Sequence, residues 1–164
     1  MMFKLSFKEI SGQPYKRVFR GDEKGDKTTT VILNGHFKFP KQMSLLPQSI
    51  QNWMFNEGIP YISADGTVFI SKMGIASRHP DDKDNPALGE RIAEARAKVA
   101  LYQFMKNLIY KILQQVSKFQ YGRLSVLTTY RVDILPDADC LCNAFFKYEE
   151  LIAREKEHLN ELTA

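Results

Sequence analysis

Apolar and polar residues alternate through much of the first half of this chain and recur every three or four residues through much of the second. Over residues 2–10, Phe3, Leu5 and Phe7 alternate with Lys4, Ser6 and Lys8, which predicts a strand with one buried face. After Ser11-Gly12-Gln13-Pro14, a second short strand is predicted over 15–20, with Tyr15, Arg17 and Phe19 on one face and Lys16, Val18 and Arg20 on the other. Residues 21–27 are polar and charged and contain two glycines, as expected of a mobile loop. Asn34-Gly35 then separates β-rich runs at 28–33 and 36–39, and Asp65-Gly66 separates runs at 59–64 and 67–78. Such pairs favour the positive φ of tight turns, so two hairpins are predicted. Gly74 and Ala76 on one face of the last strand predict close approach by another element.

The helical periodicity begins with a short segment over 47–56, where Ile50, Trp53 and Met54 share a face and Gly58 stops the helix. The stretch from Gly74 to Phe119 organises the rest: a strand ending at Arg78 or His79, an acidic turn, and one long helix. Pro80 closes the strand. Asp81, Asp82 and Asp84 crowd the turn, where the helix dipole favours negative charge, and Asn85-Pro86 has the form of a helix start. Leu88, Ile92, Ala95, Val99, Tyr102, Met105, Ile109, Leu113 and Val116 form one apolar stripe, and Leu101, Phe104, Leu108 and Ile112 add a second. The first half of the helix should therefore be half exposed and the second half buried on most sides. Beyond Gly122 a long alternating strand is predicted over 124–134, then a last helix from Pro136-Asp137 with Leu141, Ala144, Phe145, Tyr148, Ile152 and Leu159 on its apolar side.

Together these elements predict an α+β fold in a single domain over 1–164: an antiparallel sheet built from hairpins, packed against one long central helix and shorter helices. The net charge of +4 is mild and decides little about nucleic acid. No apolar run reaches the length of a membrane span, and the N-terminal residues are too polar for a signal peptide, so a cytoplasmic location is expected. Cys140 and Cys142 are two apart on a helix and have few histidines to join them, which argues against a disulfide or a zinc site.

Two sets of residues are candidates for chemistry. Arg78-His79-Pro80-Asp81-Asp82 sets a histidine beside paired aspartates, a combination that could hold a metal or transfer protons. It has no second histidine nearby and no nucleophile at a meaningful spacing, and loop aspartates mostly form turns. No catalytic residue, metal or cofactor is therefore expected. The second set, Arg78, Arg91, Arg96 and Lys98, could bind phosphates with Lys4, Lys16 and Arg20. The interspersed Glu90 and Glu94 favour an ordinary solvated helix face with i,i+4 ion pairs. Phosphate-loop motifs are absent from the sequence.

The string from Gly74 through Ala97 carries G-x-A, a polar run, P-x-D and G-x-x-I-A-x-x-R-A, with Gly74, Ala76, Pro80, Asp82, Gly89, Ile92, Ala93, Arg96 and Ala97 at the matching positions. It resembles a recurring pattern in small uncharacterised proteins of bacteriophages and other mobile elements. The resemblance implies strand–turn–helix packing and a phage-like origin, and no activity. Gly89, Ala93 and Ala97 form a small-residue strip along which Arg96 could reach back to Asp82 or to strand-end carbonyls as a structural clasp. The functional expectation is a small non-enzymatic protein that docks on a host or virion protein, plausibly in nucleic-acid handling or antiviral defence, through the long helix and hairpin tips. The alternatives are direct nucleic-acid binding by the basic helix face, a metal-dependent enzyme around His79, and self-association through the long helix.

Overall fold

The computed structural model describes residues 3–7, 9, 12, 14–23, 26–39, 48–59, 63, 65–78, 83, 85–121 and 138–164. They form a three-stranded antiparallel sheet in the order β1 (Lys16–Glu23), β2 (Asp26–Lys38), β3 (Thr67–Arg78), with helices α1 (Gln48–Asn56), α2 (Pro86–Tyr121) and α3 (Ala138–Thr163). This is the α+β arrangement expected. The layers run sheet, α2, α3, with the long helix in the middle.

One hairpin is displaced from its predicted place. β2 runs straight through Asn34-Gly35, because β1 and the N-terminal segment pair with it on one side and β3 pairs with it on the other, from Lys27↔Arg78 to Lys38↔Thr67. Gly35 serves another purpose: a Cβ there would lie 2.8 Å from Leu5 Cδ1, so its missing side chain makes room for the N-terminal segment. Asn34 spans the ladder, donating from Nδ2 to the Pro14 carbonyl (3.2 Å) and accepting from the Ser71 hydroxyl. The chain reverses at the predicted loop, where Glu23 pairs with Asp26. Most of 21–27 is therefore strand.

At Asp65-Gly66 the turn is present. Gly66 has φ +82°, its N–H donates to the Ser63 carbonyl (2.9 Å), and Ser63 N–H donates to Thr67 (3.1 Å). The Ser63 hydroxyl, then the Thr67 hydroxyl and N–H, donate to the Asp65 carboxylate and hold it down to about 2. In the predicted run before that turn, Ile59 and Ser63 are not in a strand and the other residues lie outside those described.

Among its described residues the N-terminal segment forms one bridge rather than a strand. Ser6 and His36 exchange backbone hydrogen bonds of 2.8 and 2.9 Å. The adjoining backbone is committed elsewhere: Leu5 N–H donates to Tyr148 Oη (3.0 Å), and that hydroxyl donates to the Phe3 carbonyl. Phe3 takes φ 56° and buries its ring against Phe37 and Phe39.

α2 begins as its sequence suggests, with Asn85 Oδ1 accepting from Leu88 N–H (3.2 Å) ahead of Pro86. Its 36 residues extend about 54 Å. Ala93, Ala97, Leu101, Phe104 and Leu108 are buried, as are Ala95, Met105, Ile109 and Ile112, so the sheet and α3 together cover most of its circumference. At Gly74 the packing reaches backbone on backbone, since a Cβ there would lie 2.0 Å from the Ala93 carbonyl oxygen and 2.6 Å from Ala97 N. α1 adds Ile50 and Met54 to the core, stacks Trp53 on Phe104 (5.3 Å, 9°), and ends at Gly58 with φ +92°. Leu141, Ala144, Tyr148 and Ile152 seat α3. The strand predicted at 124–134 and residues 136–137, predicted to start the last helix, lie outside the described residues.

Candidate functional site: the open face of the sheet

Alternation gives each strand two faces. On the α2 side lie Lys16, Val18 and Arg20 of β1, Thr29, Val31, Leu33 and Phe37 of β2, and Val68, Ile70, Gly74 and Ala76 of β3. The apolar members from β2 and β3 are buried. The cations on this side meet helix carboxylates. Lys16 Nζ lies 3.1 Å from Glu90 and 3.2 Å from Glu94, and Arg20 lies 3.4 Å from Glu90. The Glu90 hydrogen bond, followed by Glu94, holds the Lys16 amine above its ordinary range against the opposing effect of burial.

The other face has no helix on it among the described residues. Its rows read Phe19–Thr30–Ile75 and Arg17–Ile32–Met73, with Asn34 beside Ser71 and His36 beside Phe69. Phe19 is 51% exposed, Met73 59%, Ile75 44% and Phe69 41%. Ile32, on the middle strand, is half-buried between them. Exposed apolar side chains also occur away from the sheet, at Phe55, Tyr110 and Phe146, but this face gathers four of them on one surface. Among the described side chains of this face none is a carboxylate, while Arg17 and Lys38 are cations.

Arg17 stands out. Its Nε is shut off from solvent and has no hydrogen-bond partner, and the guanidinium makes no ion pair with any described residue. Its terminal nitrogens remain in contact with solvent. An unmatched buried donor costs about 1–3 kcal/mol.

The sequence candidates do not converge on one site. Arg78 ends β3 beside Lys27, on a cleft of about 560 Å³ that is also lined by Lys83, Leu88, Gly89, Ile92 and Leu162. Both Arg78 and Lys27 are already engaged. Arg96 is exposed and donates from Nη1 to the Ile75 carbonyl of β3. Lys98 lies 3.8 Å from Glu94 and 4.0 Å from Glu155 of α3. Arg91 is exposed. His79, Asp81 and Asp82 lie outside the described residues, and among the described residues no group of three or more His, Cys, Asp or Glu side chains could hold a metal. None of the described helices is long and apolar enough to cross a membrane.

Sequence reading passed over the open face, although one signal was present. β3 carries Val68, Ile70 and Ala76 on one parity and Phe69, Met73 and Ile75 on the other. Compared with protein families, curated proteins and solved structures, the chain has no match.

Proposed function

We propose that this chain is a protein-binding module that acts without catalysis and receives its partner on the open face of the sheet. The observation that carries this reading is the exposure of Phe19, Phe69, Met73 and Ile75 on one face while α2 closes the other. The long helix, first read as a contact element, is the middle layer of the fold, so the contact role passes to the sheet. Direct nucleic-acid binding loses support because three of its candidate cations, Lys98 of the helix and Lys16 and Arg20 of β1, each meet a glutamate. A phosphate track needs cations of one sign left open to the ligand. The phage-type setting and a part in antiviral defence rest on the resemblance alone and join the proposal in that capacity.

The test is affinity capture from the cells the chain comes from, followed by reconstitution with the purified partner. The expected result is a one-to-one complex that Met73→Asp and Ile75→Asp abolish and Arg91→Ala leaves intact. A complex indifferent to the two aspartates, or one that dissolves on nuclease treatment, overturns the reading.

A further inference from the structure

On the reading that the open face is a docking surface, its chemistry specifies what docks. The face offers apolar side chains from all three strands and one guanidinium among them that nothing in the described fold satisfies. We propose that Arg17 is the charged anchor of this face, and that the occupant is an apolar peptide segment of a partner protein carrying one Asp or Glu that pairs with its guanidinium.

Three features select this occupant over others. Charge complementarity is the first. None of the face's described side chains is a carboxylate, so an acid on the occupant would meet a cation that has no described partner. Pairing with a carboxylate gives a guanidinium short, charge-assisted and often bidentate hydrogen bonds, which a neutral apolar surface cannot offer. The position of Arg17 is the second. It sits on the edge strand β1, in the same row as Ile32 and Met73 and two residues from Phe19, so a segment laid across the face meets apolar side chains and the guanidinium together. A charge pair enclosed by apolar contacts is screened from water and adds specificity as well as affinity.

Area is the third. Three strands of 8, 13 and 12 residues, about 4.8 Å apart with about 3.3 Å per residue, make a face of roughly 520 Å². Two such faces pressed together bury roughly 1,000 Å², short of the 1,200–2,000 Å² typical of stable association. A second copy of this chain is therefore a poor occupant. A short peptide segment matches the dimensions. Nucleic acid fits less well, because Arg17 and Lys38 are the face's described lysine and arginine side chains, too few to follow a phosphate backbone.

The test is selection of a random peptide library on the intact protein, followed by affinity measurement with the enriched peptides in purified form. The expected peptides share an Asp or Glu within an apolar run. Arg17→Gln should weaken them by about tenfold or more, the loss anticipated for a charge-assisted hydrogen bond, while Arg17→Lys recovers part of the affinity and Ile75→Asp abolishes it. Raising the salt should weaken the wild type and leave Arg17→Gln nearly unchanged. Thermal melts confirm that each variant is folded. Peptides without an acid, an Arg17→Gln variant that binds like wild type, or a library that yields no binder overturns the proposal. Loss with Ile75→Asp but not with Arg17→Gln removes the anchor and leaves the docking face standing. Indifference to both removes the docking face as well.

Discussion

The two faces of this sheet have the same backbone and opposite fates. On the α2 side the surfaces are close enough that Gly74 has no room for a side chain, and the peripheral cations meet Glu90 and Glu94. On the other side Met73 and Ile75, the immediate neighbours of Gly74, stand in solvent, and Arg17 has no partner among the described residues. Stability is concentrated on one face, and the proposed recognition falls on the other. Substitutions one residue apart should therefore have very different consequences.

The largest effect belongs to Gly74. A longer side chain there must displace the Ala93 carbonyl and the Ala97 amide, which are helix backbone and cannot turn aside as a flexible side chain would. Gly74→Leu should cost more than about 4 kcal/mol and leave the chain unfolded or partly folded at 25 °C by circular dichroism. A well-folded Gly74→Leu protein would mean that α2 does not sit against β3 as described.

Next comes Tyr148, which holds the N-terminal segment on α3. Tyr148→Phe strips the Phe3 carbonyl and Leu5 amide of their shared partner and should lower stability by about 1–3 kcal/mol in a denaturant titration. The same residue gives a pH signature. Burial pushes the phenol up to about 12 from an ordinary value near 10, so the folded state keeps a proton that the unfolded state releases. Its contribution is fully present below pH 10 and is lost as pH rises toward 12. Wild type should lose stability over that window more steeply than Tyr148→Phe.

Arg96 ranks below these. Its guanidinium reaches β3 at the Ile75 carbonyl but is exposed, so Arg96→Ala should cost about 1 kcal/mol. Arg91, exposed on the same helix, should cost less than about 0.5 kcal/mol. Equal losses in paired melts would show that the contact with β3 contributes nothing.

Much of this layout was legible because it depends on local chemistry. Asn85-Pro86 caps α2 where the sequence placed a cap, Gly58 stops α1, and the small residues Gly74, Ala93 and Ala97 announced a close contact. Asn34-Gly35 was misread because a turn signal is a local preference, and pairing on both sides of β2 outweighed it. At Asp65-Gly66 the turn formed, with the Asp65 carboxylate bound to Ser63 and Thr67. The N-terminal alternation was real, but a side chain from the far end of the sequence, Tyr148, claimed its backbone. The open face was hidden for a different reason. Alternation tells which residues share a face, and Phe69, Met73 and Ile75 do so. It cannot tell whether a helix will cover that face, since this depends on how many layers the chain can supply.

A small stability effect gives the sharpest test of the contrast. Met73→Thr and Ile75→Thr both keep a residue suited to a strand, and the latter keeps its β-branch, so backbone preference changes little. Each should alter stability by less than about 1 kcal/mol, because the side chains removed are already about half exposed. The matched change on the covered face is Val31→Thr, where Val31 is fully buried opposite Gly74 and Val18. That variant puts a hydroxyl where only apolar atoms are expected and should cost about 1–3 kcal/mol. The ratio between the faces matters more than either value, since all three exchanges lie within one sheet and share an unfolded-state reference. If Ile75→Thr costs as much as Val31→Thr in the same denaturant series, the open face is covered in solution by something the described residues do not include. The docking surface would then already be occupied.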